Sequence, residues 1–547
     1  MKAFSHLLML AGSQSVPVRT LWVLILLPLG TPSWSGEPHL RIENITILRK
    51  NIFDTSRADQ RHVFGSVVNA VHLPTRESVI RGELLFNEGE MFDMELLKES
   101  ERHLRALGYI GDVITRCDTL TDSTIAVTVE THDKWTIDML PAYKQGGGVE
   151  DFRFSLKDDN FLGGGQSLSL SYTYRSDRPD PHGMDLAFLE RNLYGTRLSA
   201  LVRHRNTWDQ TFNAVRLERN YFSDRTPWAG GIYAELGKQR LLLYDEGALV
   251  HEEVSGREAQ SAWVSVSLGE GPFIRPMVSY TRTRSNFAMA RRFDNLDLVT
   301  FGVSLLGRQF VERSFLNNFG RVEDVPIGIH VGFSIGKNIR GARTLGVDYS
   351  LGVFWKHSWL LSEGSYLGWS ASYQSFFEGL HRPESTLEFM LLHHWKVSRY
   401  HTLVARASMA AGFGWLGRRQ LLLGTSTGLR GYDEYSFQGD RRIIYGVEHR
   451  VFTDVDIFIF RFGAAAFLDG GTAWTGGPAG GQRFHHAVGC GLRIENTKLQ
   501  GAGLIRIDWA MNLDRGHATQ VILSSSLPFS AFLDLDAASP AQALDGF

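Results

Sequence analysis

Residues Thr425 to Arg442 read TSTGLRGYDEYSFQGDRR. Five strand-like segments follow this stretch, and the first of them carries Gly446, Glu448 and Arg450 on one face. A polar, glycine-bearing stretch ahead of a series of two-faced strands points to a membrane barrel with a loop folded back inside it.

The period of the five segments carries that reading. In Leu504 to Asn512, Ile505, Ile507, Trp509 and Met511 alternate with Arg506, Asp508, Ala510 and Asn512. That is the two-residue period of a strand with one oily and one wet face. Ile457 to Asp469 repeats it, with Phe458, Phe460, Phe462, Ala464, Ala466 and Leu468 on the oily side and Arg461, Gly463, Phe467 and Asp469 on the other. In Ala487 to Glu495, Val488, Cys490, Leu492 and Ile494 oppose Gly489, Gly491, Arg493 and Glu495. A soluble sandwich produces the same alternation in any single strand by burying its oily face. The succession of such strands favours a barrel.

The 547 residues include 56 glycines and 16 prolines, 12% are aromatic, and the net charge is −2. That balance carries neither a nucleic-acid footprint nor a disordered acidic tail, so nucleic acid is not an expected partner. Cys117 and Cys490 lie far apart, which offers no disulfide framework and no metal-ligand spacing. Arg19 precedes the apolar run Leu21 to Leu29, and Ser33 and Ser35 stand at −3 and −1 of a cut before Gly36. Residues 1–35 are therefore expected to be a secretory signal peptide. The run is shorter than the roughly 20 apolar residues that a spanning helix needs. A closed barrel is the other way to satisfy every backbone group in lipid.

From Leu40 to about Asp133 the texture changes. Leu40 to Leu48 is strand-like, Thr75 to Leu85 and Asp93 to Leu107 are helix-like, and Ile114 to Cys117 and Ser123 to Glu130 return to strand. The order is β-α-α-β-β. The stretch ESVIRGELLFNEGEMFDMELLKESERHLRALGYIGDV, Glu77 to Val113, resembles a POTRA domain, the periplasmic module of the BamA/TamA outer-membrane assembly superfamily. Asn51 to Pro74 departs from it as an insertion. The expected domains are the signal peptide at 1–35, one POTRA domain at 36–134, an outer-membrane β-barrel at 135–529 and a C-terminal tail at 530–547.

From Trp135 to Phe529 strand-like segments alternate with turn signals. DDNFLGGGQSLSLSYTYR, Asp158 to Arg175, resembles the first barrel strands of the superfamily. Trp355, Trp359, Trp369, Phe376 and Phe377 crowd segment ends as interfacial girdles do. A direct count gives about twenty candidate strands, fifteen ahead of the Arg430 loop and five after it. The resemblance implies sixteen antiparallel strands, eleven of them ahead of that loop. Sixteen is the expectation, with Asp348 to Trp355 and Thr386 to Leu392 read as hairpins of extended loops.

LRGYDEYSFQGDRR, Leu429 to Arg442, is similar to the conserved-loop signature of the superfamily, an RGF or RGY tripeptide at the tip of an extracellular loop that folds into the barrel. FLDGGTAW, Phe467 to Trp474, is similar to the F-x-D-x-G signature on the receiving strand. The resemblance implies that Arg430, Gly431 and Tyr432 form the tip and that Phe467, Asp469 and Gly471 receive it. Arg430 then meets Asp469, with Glu448 as a second partner. Alternation independently sets Asp469, Arg461, Phe467, Glu448 and Arg450 on the wet face. A guanidinium in a confined lumen needs carboxylates to offset its lost hydration, and a bidentate pair fixes the loop in place. Gly431 allows the tight turn. The last strand, Gln520 to Phe529, ends in an aromatic that resembles the assembly signal of outer-membrane barrels, and eighteen residues follow Phe529.

Other chemistry is thin. Gly412, Gly414 and Gly417 fit G-x-G-x-x-G with no helix opening after them. His393-His394 and His485-His486 are neighbours that a strand turns to opposite faces, the wrong geometry for one metal. No G-x-S-x-G elbow occurs. No catalytic residue, metal or cofactor is therefore expected. The function implied is non-enzymatic: an outer-membrane assembly or translocation factor that captures substrate through its POTRA domain. Its expected partners are outer-membrane lipids, unfolded outer-membrane or secreted proteins, and periplasmic accessory proteins. The expected location is the outer membrane of a Gram-negative bacterium, with the POTRA domain in the periplasm. The alternatives are a two-partner secretion translocator for one exoprotein and a lipid-handling or structural barrel.

Overall fold

A computed structural model describes residues 40–524 except 53–68, 71, 147–148, 286–294, 318, 320–321, 340–346, 380, 416–418, 458–459, 497–503 and 515–518. The expected signal peptide, Phe529, the tail and most of the insertion lie outside the described residues.

The N-terminal unit consists of β1 (Arg41–Lys50), α1 (Glu77–Glu83), α2 (Met94–Ala106), β2 (Ile110–Thr121) and β3 (Thr124–Asp133). Its order is the β-α-α-β-β expected. Strand β3 is central, parallel to β1 and antiparallel to β2. Its alternation buries Ile125, Val127 and Val129 against Ile80 of α1 and Leu97 and Leu104 of α2. The Asp93 carboxylate starts α2 by accepting from the amides of Glu95 at 2.9 Å and Leu96 at 3.2 Å. Gly108, at φ +85°, follows its end in the left-handed region that stops helices. Thr75, expected inside the first helix, instead donates its amide to Asp133 at 2.7 Å and its hydroxyl to the same carboxylate at 3.0 Å.

The chain then runs through β4 (Ile137–Gly146), β5 (Val149–Phe161), β6 (Gln166–Arg175), β7 (His182–Glu190), β8 (Ser199–Asn206) and β9 (Gln210–Arg219). A long hairpin, β10 (Trp228–Asp245) and β11 (Ala248–Val266), precedes β12 (Phe273–Ser285), β13 (Leu296–Arg313) and β14 (Glu323–Asn338). Next come β15 (Tyr349–Ser362), β16 (Ser365–Glu378), β17 (His381–Lys396) and β18 (His401–Phe413). A loop with two short strands, β19 (Leu421–Leu423) and β20 (Phe437–Gly439), separates these from the last five. Those are β21 (Arg441–Ile457), β22 (Phe460–Trp474), β23 (His485–Asn496), β24 (Leu504–Asn512) and β25 (Thr519–Ser524).

Twenty of these strands, β4 to β18 and β21 to β25, close one barrel among the described residues. The expectation of sixteen is therefore corrected, and the direct count of alternating segments, fifteen before the loop and five after, is the one that matches. The segments read as loop hairpins are full staves: β15 pairs β14 and β16, and β17 pairs β16 and β18, along most of their lengths. Alternation is a property of each strand in its sheet and is read without reference to any other protein's strand number.

Among the described residues no helix is long and apolar enough to cross a membrane. The outer face of the barrel is oily instead. Leu170, Leu186, Val202, Val215, Ile232 and Val264 project from successive strands as exposed residues. On β22, Leu468 is 41% exposed while its neighbour Asp469 is 0% exposed, the alternation of a wall with one apolar and one polar face. Trp355, Trp369 and Phe389 stack across β15, β16 and β17 at 5.8 and 6.3 Å.

The N-terminal domain sits against connections at its own end of the barrel. Arg197, between β7 and β8, donates to Glu83 at 2.9 Å and to the Leu84 carbonyl at 2.7 Å. Asn160 reaches Thr75 at 2.8 Å, and Arg225 reaches Asp93 at 2.6 Å. The loop holding β19 and β20 lies at the opposite end.

Candidate functional site in the barrel lumen

The loop between β18 and β21 turns inward rather than into solvent. Its hairpin pairs Leu421 with Gly439 and Leu423 with Phe437, and Leu423, Leu429 and Tyr432 are buried with Ile444 and Ala487 of the wall. Gly431, at φ +85°, makes the turn, and a Cβ there would stand 3.2 Å from the Asn512 amide nitrogen. Gly471 is bare for the same reason: a Cβ would meet the Ile443 carbonyl at 2.8 Å and Leu423 at 3.4 Å. A side chain at Gly431 crowds the loop against β24, and one at Gly471 crowds the neighbouring wall strand β21.

Arg430 at the tip is 2% exposed. Its Nε and Nη2 donate to the two oxygens of Asp469 at 2.6 and 3.0 Å, a bidentate fork. Nη1 donates to Glu448 and to Asp508, each at 3.0 Å. The guanidinium carbon lies 3.3 Å from the ring centroid of Phe467, which covers it with a π-face. The structure thus brings Arg430, Asp469, Glu448, Phe467 and Gly471 of the expected set together.

Tyr432 stands apart from that fork. Its hydroxyl lies 2.8 Å from Asp514 and 2.9 Å from the His486 carbonyl, and its ring meets His485 edge-on at 5.9 Å. His485 lies 2.6 Å from the same Asp514. The Gly431 amide and the Thr425 hydroxyl both donate to Gln520 of β25, at 3.3 and 2.7 Å. Asn512 of β24 donates to the Gly431 carbonyl at 3.2 Å. The tip therefore binds β21, β22, β24 and β25.

A second ring of charge surrounds the first. Arg450 donates to Glu448 at 2.9 Å, and Arg493 donates to Asp508 at 2.6 Å and approaches Glu448 at 3.5 Å. Arg506 lies 3.3 Å from Asp508, and Glu495 is buried nearby on β23. Arginines 430, 450, 493 and 506 thus stand around the carboxylates of Glu448, Asp469 and Asp508, with Arg406 beside them reaching the Gly428 carbonyl at 3.4 Å. The pairing matters because an uncompensated ion out of water costs several kcal/mol. Asp508 and Arg493 lay on the wet faces that alternation identifies, but nothing in their spacing ties them to Arg430. Gln520 and Asp514 carry no signal of their own. Among the described residues no set of three His, Cys, Asp or Glu side chains stands in metal-binding geometry.

Residues 68–132 match the POTRA family, described as surface antigen variable number repeat. The sequence matches no curated protein. The fold is similar to BamA from Haemophilus ducreyi lacking POTRA domains 1–3, at 13% identity and a TM-score of 0.36, over 88% of this chain and 83% of that one. It is also similar to CdiB from Acinetobacter baumannii, at 12% identity and a TM-score of 0.41, over 89% and 73% of the two chains. CdiB from Escherichia coli gives 10% identity and a TM-score of 0.43 over 89% and 76%. Residues 68–132 are thus a POTRA domain, and the strands after it close an antiparallel barrel in which an RGY tip is seated on F-x-D-x-G.

Proposed function

We propose that the protein is a non-enzymatic assembly or translocation factor of the Gram-negative outer membrane. Its POTRA domain faces the periplasm and captures an extended polypeptide by strand addition, for which β2 is a sheet edge. The barrel then inserts that polypeptide into the membrane or passes it across.

The observation that supports this reading is the seam where the barrel closes. Among the described residues, which end at Ser524, strands β25 and β4 meet at Ile522↔Lys144, and β24 and β25 pair from Arg506↔Ser524 to Met511↔Thr519. If the first and last strands part, each becomes an edge on which another strand can pair. The lumen lock bears on that edge, because Gln520 of β25 holds both Thr425 and Gly431 of the tip. Release of Arg430 from Asp469 removes the support of the last strand and frees the seam.

Depletion of the protein followed by an inventory of outer-membrane and secreted proteins tests the reading. Broad loss of barrels supports an assembly factor, and loss of one secreted protein supports a dedicated translocator. An unchanged inventory overturns both and leaves a lipid-handling or structural barrel.

A further inference from the structure

Between β13 and β14, at the POTRA end of the barrel, residues 314–317 and 319 do not turn back into solvent. Leu316, Asn317 and Phe319 are 3, 6 and 2% exposed. The segment crosses the mouth to strands well round the wall. Thr402 donates to the Phe315 carbonyl at 2.7 Å, and Lys396 donates to the Ser314 carbonyl at 3.0 Å. The Phe319 amide donates to Glu495 at 2.7 Å, and its carbonyl accepts from Arg461 at 2.9 Å. Phe319 packs edge-on against Phe452 at 5.0 Å. A connection tied to β17, β18, β22 and β23 is a strap across the opening.

Two further contacts give the strap a connection at each end. At its tip, Arg450 donates to the Asn317 side chain at 3.0 Å and the Leu316 carbonyl at 3.2 Å. The same Arg450 donates to Glu448, whose other oxygen receives Arg430. The outer loop and the inner strap therefore share one buried carboxylate. At its roots, Arg105 of α2 pairs with Asp324 at 3.0 Å and Glu312 at 3.2 Å, the residues flanking the strap on β14 and β13. Arg102 covers Phe310 at 4.0 Å.

We propose that residues 314–317 and 319 form an inner gate, held shut by the Arg450–Glu448 bridge and carried by the POTRA domain through Arg105. Seating of the strap orients Arg450, which holds Glu448 where Arg430 needs it. Seating of Arg430 in turn stabilises the strap. This coupling is reciprocal by thermodynamic necessity. Displacement of the POTRA domain by a captured polypeptide pulls the β13–β14 roots and loosens both closures together. The inference deepens the proposed function, since a gate serves only a barrel that opens.

Hydrogen exchange on the full chain in detergent micelles tests the coupling without any cargo, so its outcome is independent of the depletion inventory. Phe319→Gly unseats the strap without touching the outer loop. Amides 425–432 should then exchange at least tenfold faster, and Arg430→Ala should accelerate amides 315–319 by a similar factor. Arg105→Glu, outside the barrel wall, should accelerate amides 315–319, with recovery in Arg105→Asp combined with Asp324→Arg. It keeps the test open where Phe319→Gly does not fold. Unchanged exchange at 425–432 beside faster exchange at 315–319 means two independent plugs and overturns the proposal, as does an Arg105→Glu protein that exchanges like wild type at both segments.

Discussion

Arg430 gives up its hydration inside the barrel and recovers it from three carboxylates at 2.6–3.0 Å. Arg430→Ala leaves those carboxylates facing one guanidinium fewer, so it is expected to lower stability by about 3–5 kcal/mol. Denaturant unfolding of the barrel in detergent reads the loss. Asp469→Ala on top should add far less than its separate effect, because both changes break one interaction; additive losses mean that the loop does not depend on the pair. Arg430→Lys keeps the charge and loses the fork, so an intermediate defect is expected. This pairing was legible because the tripeptide marked Arg430 and the two-residue period put Asp469 and Glu448 on the wet face. Asp508 lay on a wet face too, but its place beside Arg430 depends on strand registers that no local pattern encodes. Outside the membrane, Glu83 holds the POTRA domain to the barrel through Arg197. Burial raises its carboxyl, but the hydrogen bond and charge of His103 and the charge of Arg197 outweigh that and keep it below the usual carboxylate range. A lowered carboxyl contributes stability that is present above its unfolded value, about 4.3, and is lost as the pH falls through the folded value. The POTRA-to-barrel distance between spin labels should therefore stay fixed at neutral pH and broaden only in acid. Glu83→Gln should broaden it at pH 7, and a distribution insensitive to both changes contradicts that role.

Among elements, the strands and the Arg430 loop were legible and the β13–β14 connection was not. Alternation recurs in every stave because one face meets lipid and the other the lumen. Ser314 to Glu323, SFLNNFGRVE, has no period and reads as an ordinary turn. Its burial comes from partners such as Thr402, Arg450 and Glu495, more than eighty residues away in sequence. The seam between β25 and β4 makes the element-scale prediction. A disulfide between Lys144→Cys and Ile522→Cys, Cα partners at the seam, should abolish insertion or secretion and be relieved by reductant. The same bond between Trp509→Cys and Val521→Cys, partners within the continuous β24–β25 ladder, should leave activity near wild type. Equal effects from both disulfides mean that the seam plays no separate part.

Among the described residues the barrel has twenty staves where sixteen were expected, and size explains what the extra four accomplish. Barrel diameter grows roughly linearly with strand number, so twenty strands enclose about one and a half times the cross-section of sixteen. That room holds two inserted segments, the Arg430 loop from one end and the Phe319 strap from the other, with a network of buried charge between them. The wall around them presents Leu170, Val202, Ile232 and their counterparts outward. A continuous apolar belt of that extent is far larger than the few hundred Å² that a soluble monomer exposes, so the mature protein should fractionate with the outer membrane. Its ladder closes on itself and leaves few free edges. Unheated samples in mild detergent should therefore stay folded and migrate faster than boiled ones, and Arg430→Ala should lower the temperature at which the fast band disappears. Recovery as a soluble periplasmic protein, or one migration with and without heating, contradicts a membrane barrel at the level of the whole molecule, whatever the lumen residues do.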